Sequence, residues 1–375
     1  MQRTAQAAIV GEPNGSISFE TITIDDPGPG EVLVRLVASG VCHSDWWAIE
    51  NGNWAPARWP FYLGHEGAGI VEQVGEGVSD LEPGDRVVLS WAVPCGRCGP
   101  CRRGKPRRCG HELTQPPRMH RAEDPSALIG VLNCGTLGTH TVVTAPQAIR
   151  MPDGIPLSRA CLLGCGVSTG VGAAIQTAGV HPGATVAVIG LGGIGLGALQ
   201  GAVIAGAERV IAVDVAPAKL EWASNLGATD VVDASDADPV DLVRSMTGTG
   251  VDYAFEAVGR PECVAQAVAM LGYAGTAVAI GVPPIPSQVS IDWNGTDRSA
   301  YPRKTSLLIC DGGDPIPAED FPQMARWYLE GRLDLDTMVT REATLDRDSL
   351  DEAFRAMLAG EVIRTVVVID EDAAR

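Results

Sequence analysis

Positive charge is what this sequence has least of. Its 28 Lys and Arg stand against 46 Asp and Glu, a net charge of −18. Polyanions repel so acidic a chain, which excludes nucleic acid and anionic membranes as partners. The opening MQRTAQAAIV lacks the apolar h-region of a secretory signal, so a cytoplasmic protein is expected. Internal repeats and low-complexity tracts are missing too. The ten cysteines do not make a disulfide framework, because four of them crowd between Cys95 and Cys109. Only Thr185 to Ala207 is long and uncharged enough to raise the question of a membrane span. A span needs about 20 apolar residues. Five glycines crowd the first half of this one, however, and no second span exists, so no membrane role is expected.

At 375 residues the chain has room for two or three domains, and 45% hydrophobic residues supply a sizeable core. The rest is organised around Thr185 to Asp214. An apolar, β-branched run reads as a buried parallel strand. Gly190-Leu191-Gly192-Gly193-Ile194-Gly195 follows at once, then a small-residue helix, then Val210 to Val213 ending on Asp214. Gly190 permits the tight turn, Gly192 lets backbone N–H groups approach a pyrophosphate, and Gly195 lets helix and strand pack closely. The helix N-terminus offers unpaired N–H groups and a positive dipole end to phosphates. A carboxylate about 20 residues on is placed for an adenosine ribose.

The N-terminal third alternates short β-rich runs with turns and reads as antiparallel sheet. It carries Cys42-His43-Ser44-Asp45, tryptophans at Trp46, Trp47, Trp54 and Trp59, and Gly64-His65-Glu66-Gly67. Cys95, Cys98, Cys101 and Cys109 then fall close enough to surround one ion. A zinc with four protein sulfurs has no open position and is structural. An iron–sulfur cluster shares the first spacings, but its run continues with a gap of three and Cys-Pro; here the gap is seven and Gly110 follows. Residues 110 to 135 read as an irregular loop. After Asp214, strands and helices alternate, which predicts a parallel, doubly wound sheet. Helices are expected over Phe321 to Gly331 and Ser349 to Ala359, and a last strand over Thr365 to Ile369.

Taken together, Cys42-His43-Ser44-Asp45, Gly64-His65-Glu66-Gly67, the four-cysteine lobe, Gly164-Cys165-Gly166, the glycine-rich turn with Asp214 and Ile363-Arg364-Thr365 carry a resemblance. The chain resembles the zinc-dependent medium-chain alcohol dehydrogenases over nearly its whole length. The resemblance implies an α/β architecture: a GroES-like, mostly-β catalytic domain at 1–166 with the zinc lobe at 95–109, a Rossmann domain at 167–308, and a C-terminal return to the catalytic domain at 309–375. It implies two zinc ions per chain, a catalytic one on Cys42, His65 and Cys165 and a structural one on Cys95, Cys98, Cys101 and Cys109. Asp45 would fix the His65 tautomer, Ser44 would take the alcohol proton, and Glu66 would tune the metal. NAD is the implied dinucleotide, with His43 and Arg364 at the pyrophosphate, Thr169, Val258, Ile280 and Val282 at the nicotinamide, Gly190, Gly192, Gly193, Ile194 and Gly195 at the turn, and Asp214 and Lys219 at the ribose. Lys219 serves equally well as a solvated helix face.

Trp91, Val131 and Leu132 would line the substrate pocket, with Trp47 nearby, which suits an apolar or aromatic primary alcohol or its aldehyde. Core packing is the competing role for these tryptophans. Many family members have a histidine where this chain has Trp47, so its proton relay must end differently. The implied assembly is a homodimer or homotetramer. A formaldehyde or thiol-adduct dehydrogenase is the nearest alternative activity, and a non-catalytic nucleotide-binding protein on the same fold is the alternative of another class.

Overall fold

The computed structural model describes residues 3–51, 59–110, 117–122 and 127–375. They divide into two units, one of Met1–Cys165 with Ile316–Arg375 and the other of Gly166–Pro315. Among the described residues, no single helix is long and apolar enough to cross a membrane. Thr185 to Ala207, the stretch that raised the question, divides into the strand Thr185–Ile189 and the helix Gly193–Ile204.

The first unit is mostly β. Arg3–Val10, Ser18–Ile24, Met119–Arg121, Ala127–Gly130 and Phe61–Tyr62 close into a barrel. This corrects the expectation of an irregular stretch over 110–135, although 111–116 and 123–126 lie outside the described residues. Strands of three and four residues are too short to show a period of two; pairing with Ser18–Ile24 and Phe61–Tyr62 defines them. A second sheet is centred on Glu31–Gly40, which pairs with Glu66–Val74, His140–Thr144 and Arg364–Val368. The end of the chain thus lies against its beginning, with Val366 opposite Gly40. Leu350, Ala353, Phe354 and Val367 share one apolar cluster with Val10, Val41, Phe61 and Val131. Trp46 packs on it with its ring 6.0 Å from that of Phe354, and Trp59 meets Phe61 edge-on at 4.7 Å. These two tryptophans are partly buried and pack against the core, and Trp54 lies outside the described residues.

The second unit is a parallel sheet. Its strand order is Asp230–Asp233, Arg209–Asp214, Thr185–Ile189, Val251–Glu256, Leu271–Ala279 and Ser306–Ile309. That is the doubly wound order in which ligands bind beyond the carboxyl ends, where the strand order reverses. The last strand pairs in parallel with Leu271–Ala279, so the chain leaves this unit at Pro315, not at the expected 308. Glycines set how closely the helices pack. A Cβ at Gly170 would lie 2.2 Å from the Ile194 carbonyl oxygen, and one at Gly201 2.9 Å from Val171 Cα. Arg303, only 8% exposed, donates to the carbonyls of Val268, Ala269 and Leu271 at the end of the helix Pro261–Met270, and to those of Arg298 and Ser299. A buried guanidinium here satisfies the orphan carbonyls of a helix C-terminus.

Candidate active site and dinucleotide turn

Cys42, His65, Glu66 and Cys165 offer ligand atoms that all lie within 4.8 Å of one another, and all four residues are buried. Each reaches the cluster from a different local structure. Cys42 directly precedes the helix His43–Asn51, His65 directly precedes the strand Glu66–Val74, and Cys165 separates the turn Cys161–Gly164 from the helix Gly166–Gly172. Asp45, in the first turn of its helix, accepts the Gly64 N–H at 2.8 Å and meets His65 Nδ1 at 3.2 Å through the same Oδ1. That contact fixes the tautomer and leaves Nε2 facing the cluster. His65 Nε2 is buried and makes no hydrogen bond of normal geometry. A buried imidazole nitrogen without such a partner, beside two thiols, suits a metal ion.

The electrostatics agree. A hydrogen bond from Cys165, helped by the charges of His65 and Arg364, holds the Cys42 thiol well below the usual thiol range, while the same bond and burial raise Cys165. Burial alone would lower His65, but the Asp45 carboxylate and the Cys42 thiolate raise it well above its ordinary value. Cys165 and the imidazole thus hold protons that a metal ion would displace on binding, while Cys42 is already held as a thiolate.

Burial pushes the Glu66 carboxyl up to about 7, against the pull of Arg364. The Arg364 guanidinium donates to Glu66 Oε2 across 298 residues of sequence and is only 7% exposed. The structure therefore joins Arg364 to Glu66, beside the cluster, a partnership that its expected pyrophosphate role did not include. Gly40 is a site residue that the sequence did not single out. It pairs with Glu66, and a Cβ there would fall 2.0 Å from Glu66 Oε2. Ser44 Oγ lies 3.8 Å from Cys42 Sγ, His43 is exposed and Trp47 is half-buried. Val131 sits in the apolar cluster with Val41, Leu132 packs on it, and Trp91 is half-buried.

Cys95, Cys98, Cys101 and Cys109 form a second set within the same 4.8 Å limit. The Cys98 N–H donates to Cys95 Sγ and the Cys95 N–H to Cys109 Sγ, both at 3.3 Å. Backbone donors, that of Arg97 foremost, lower the Cys95 thiol to about 6. Arg107 ties this lobe to the C-terminal return through a two-point ion pair with Asp320, at 2.6 and 3.0 Å. Cys134, Cys161 and Cys310 are buried and Cys263 half-buried, as expected of small hydrophobes.

In the nucleotide unit, Gly190 has φ +89°, the left-handed value its turn needs. A Cβ at Gly195 would lie 1.8 Å from the Gly190 carbonyl oxygen, which obliges the third glycine. Around Gly192, the residue that precedes the helix Gly193–Ile204, a Cβ would meet nothing within 4 Å. That open space at a helix N-terminus fits a pyrophosphate. Asp214 organises the turn: its carboxylate accepts the N–H of Leu191 at 2.8 Å, of Val215 at 2.8 Å and of Ala216 at 3.1 Å. Lys219 lies half-buried in the next helix, Pro217–Asn225. Thr169 and Ile280 are buried, whereas Val258 and Val282 are 44% and 43% exposed at the carboxyl side of the sheet.

Two family models match the chain, an alcohol dehydrogenase GroES-like domain over residues 28–153 and a zinc-binding dehydrogenase over residues 193–330. An alcohol dehydrogenase zinc-binding domain protein from Burkholderia ambifaria is 32% identical, with 98% of this chain and 99% of that one covered and a TM-score of 0.91. This chain is a zinc-binding dehydrogenase of the medium-chain dehydrogenase/reductase family. The dehydrogenase also matches benzyl alcohol dehydrogenase from Acinetobacter calcoaceticus at 30% identity, over 98% of this chain and 99% of that one, with a TM-score of 0.89. A zinc-binding dehydrogenase from Sinorhizobium meliloti, bound to NADP, is 26% identical over 98% of this chain and 100% of its own, with a TM-score of 0.78. The dehydrogenase is accordingly an oxidoreductase with a GroES-like domain and a Rossmann domain.

Proposed function

We propose that this dehydrogenase interconverts apolar or aromatic primary alcohols and their aldehydes, with NAD as the hydride carrier and two zinc ions per chain. The carrying observation is the buried Cys42, His65 and Cys165 set, in which His65 Nε2 makes no hydrogen bond of normal geometry. Cys42, His65 and Cys165 would hold the catalytic ion, and Cys95, Cys98, Cys101 and Cys109 the structural one. Bound zinc supplies a Lewis acid that makes an alcohol hydroxyl acidic, and NAD supplies the hydride acceptor. Asp45 keeps His65 in the tautomer that presents Nε2. Ser44 would relay the hydroxyl proton, its Oγ accepting that proton as it passes its own on towards the ribose. Glu66, held by Arg364, tunes the charge beside the thiolates. Arg364 and His43 meet the pyrophosphate in this reading, Thr169, Val258, Ile280 and Val282 the nicotinamide, and Asp214 and Lys219 the ribose. Metal analysis and a panel of alcohols with NAD and NADP test the proposal: fewer than two zinc ions per chain, or best turnover with polyols or methanol, would refute it.

The similarity to a benzyl alcohol dehydrogenase supports the substrate class. Trp91 is proposed to limit the pocket, with Val131, Leu132 and Trp47 beside it. Trp91→Ala is expected to raise kcat/KM for bulky alcohols relative to ethanol by about tenfold, the scale of one or two methylenes of pocket space. An unchanged ranking of substrates would remove Trp91 from the pocket. Trp47→His would place a titrating group where relatives end their relay, and the pH–rate profile should then move near neutrality. An unmoved profile in a folded variant would place position 47 off the proton path.

A homodimer is the proposed assembly. Its support is the edge strand Ser306–Ile309, where Leu307, Leu308 and Ile309 are 39%, 37% and 81% exposed. Such an apolar edge is a ready template for pairing. Light scattering on the wild type and on Leu308→Lys tests this; a monomeric wild type would end the idea.

A further inference from the structure

Leu132 and Asn133 both take left-handed backbone, with φ 52° and 59°. Asparagine tolerates that region, but the Cβ of a leucine there crowds the carbonyl that follows it. Such a conformation persists only where the surroundings impose it. Here they do so from three sides. A Cβ at Gly130 would lie 2.4 Å from the Gly135 nitrogen, so the base of the turn is closed. Thr141 Oγ1 donates to the Cys134 carbonyl at 2.6 Å, and Gln147 Nε2 donates to the Asn133 carbonyl at 3.1 Å.

Gln147 has no exposed surface. It ends the short helix Ala145–Gln147, where its Oε1 accepts the N–H of Thr144 at 3.0 Å and the Thr144 hydroxyl at 2.9 Å. That half of the side chain completes a capping box, which needs only an oxygen and which a glutamate fills equally well. The nitrogen has no part in the cap. It serves the turn instead, through the Asn133 carbonyl and, more weakly, Cys134 Sγ at 3.9 Å. What the turn holds out is Leu132, which packs on the apolar cluster that includes Val41, the residue before Cys42. Directly after the turn, the N–H groups of Thr136 and Leu137 donate to the carbonyl of Leu63, just before His65, each at 2.9 Å. Leu132 is thus set relative to two members of the metal-donor cluster.

We propose that Gln147 is a positioning residue for substrate choice: it holds Leu132 in its left-handed turn and so fixes one wall of the alcohol pocket. The inference rests on the pocket reading above, in which Leu132 is a lining residue. Its test is the ratio of kcat/KM for a bulky aromatic alcohol to that for ethanol, measured on the zinc-loaded, full-length protein. Leu132→Gly deletes the wall and should raise the ratio about tenfold. Gln147→Met, similar in length but without the amide, lets the turn relax and should raise it by about the same factor. The two substitutions together should go no further than Leu132→Gly alone, because both act through one side chain. Strain has its own readout: Leu132→Gly should melt about 2–4 °C above Leu132→Ala, the reverse of the usual order for these residues. Three results would each overturn the role: Gln147→Met lowering both alcohols alike with the ratio unmoved, a double variant in which the two effects multiply, or Leu132→Ala melting as high as Leu132→Gly. Should Gln147→Met fail to fold, Gln147→Asn decides the matter. It keeps an amide at the cap but is one methylene short of the Asn133 carbonyl, and it should raise the ratio likewise; a wild-type ratio would overturn the role. A Leu132→Gly enzyme with a wild-type ratio would instead refute the pocket reading.

Discussion

Cys42→Ala should remove turnover and leave the protein folded, whereas Cys98→Ala should do nearly the reverse. Cys42 is buried among three other donors, beside an apolar core that continues through Val41, Ala48 and Ile49. Alanine there removes a ligand without opening the core. Partners that merely orient a metal ligand are worth about 10- to 100-fold, so Asp45→Asn should fall in that range and Cys42→Ala well below it. Cys98 belongs to the outer set, in which none of the four sulfurs' residues is fully buried and backbone amides and sulfurs hold the loop. Backbone hydrogen bonds and the Arg107–Asp320 ion pair shape the lobe, but an ion would be the link that joins its four sulfurs. Its loss should cost about 3 kcal/mol, the upper part of the usual range for one substitution. At about 2–4 °C per kcal/mol for a unit of this size, the melting temperature should fall by roughly 6–12 °C. Turnover below the melting range and elemental zinc are the two readouts. A Cys42→Ala enzyme with normal kcat would end the catalytic assignment, and a Cys98→Ala protein of wild-type stability would end the structural one.

The second large effect is on dinucleotide choice. Asp214 presents a carboxylate where a ribose would sit, and like charges placed together cost several kcal/mol, more than about 100-fold in affinity. The wild type should therefore prefer NAD to NADP by at least about that factor. Asp214→Gly removes the charge, but it also frees the amides of Leu191, Val215 and Ala216 that the carboxylate now holds. The loosened turn should weaken both dinucleotides alike. The ratio of the two kcat/KM values cancels that shared loss, and the ratio is what should narrow or invert. Equal efficiency with NAD and NADP in the wild type would contradict the argument, as would an unchanged ratio in the variant.

Local chemistry made the nucleotide unit readable from sequence. Thr185–Ile189 is apolar because it is covered on both faces, and Gly190, Gly192 and Gly195 answer a backbone demand that falls within six residues. The four-cysteine lobe is equally local. The other donor set spans Cys42 to Cys165, and no periodicity links those positions; only the resemblance gathered them. What stayed hidden depends on partners remote in sequence. The short strands Met119–Arg121 and Ala127–Gly130 exist because a barrel closes on them. Gly40 is required by Glu66, and Glu66 is matched by Arg364.

The division of the first unit between both ends of the chain has a consequence for synthesis. Gly166–Pro315 is continuous and can complete its sheet as soon as it leaves the ribosome. The donors Cys42, His65 and Cys165 emerge earlier, yet the strand Arg364–Val368, which pairs with Glu31–Gly40, is made last. At about 5–20 residues per second the roughly 200 intervening residues take about 10–40 s. Through that interval Glu66 has no Arg364, Val41 and Phe61 lack the cover of Phe354 and Val367, and two nearby thiols stand open to oxidants. Nascent chains stalled before Arg364 should accordingly be labelled by thiol reagents at Cys42 and Cys165, and released full-length chains should be protected.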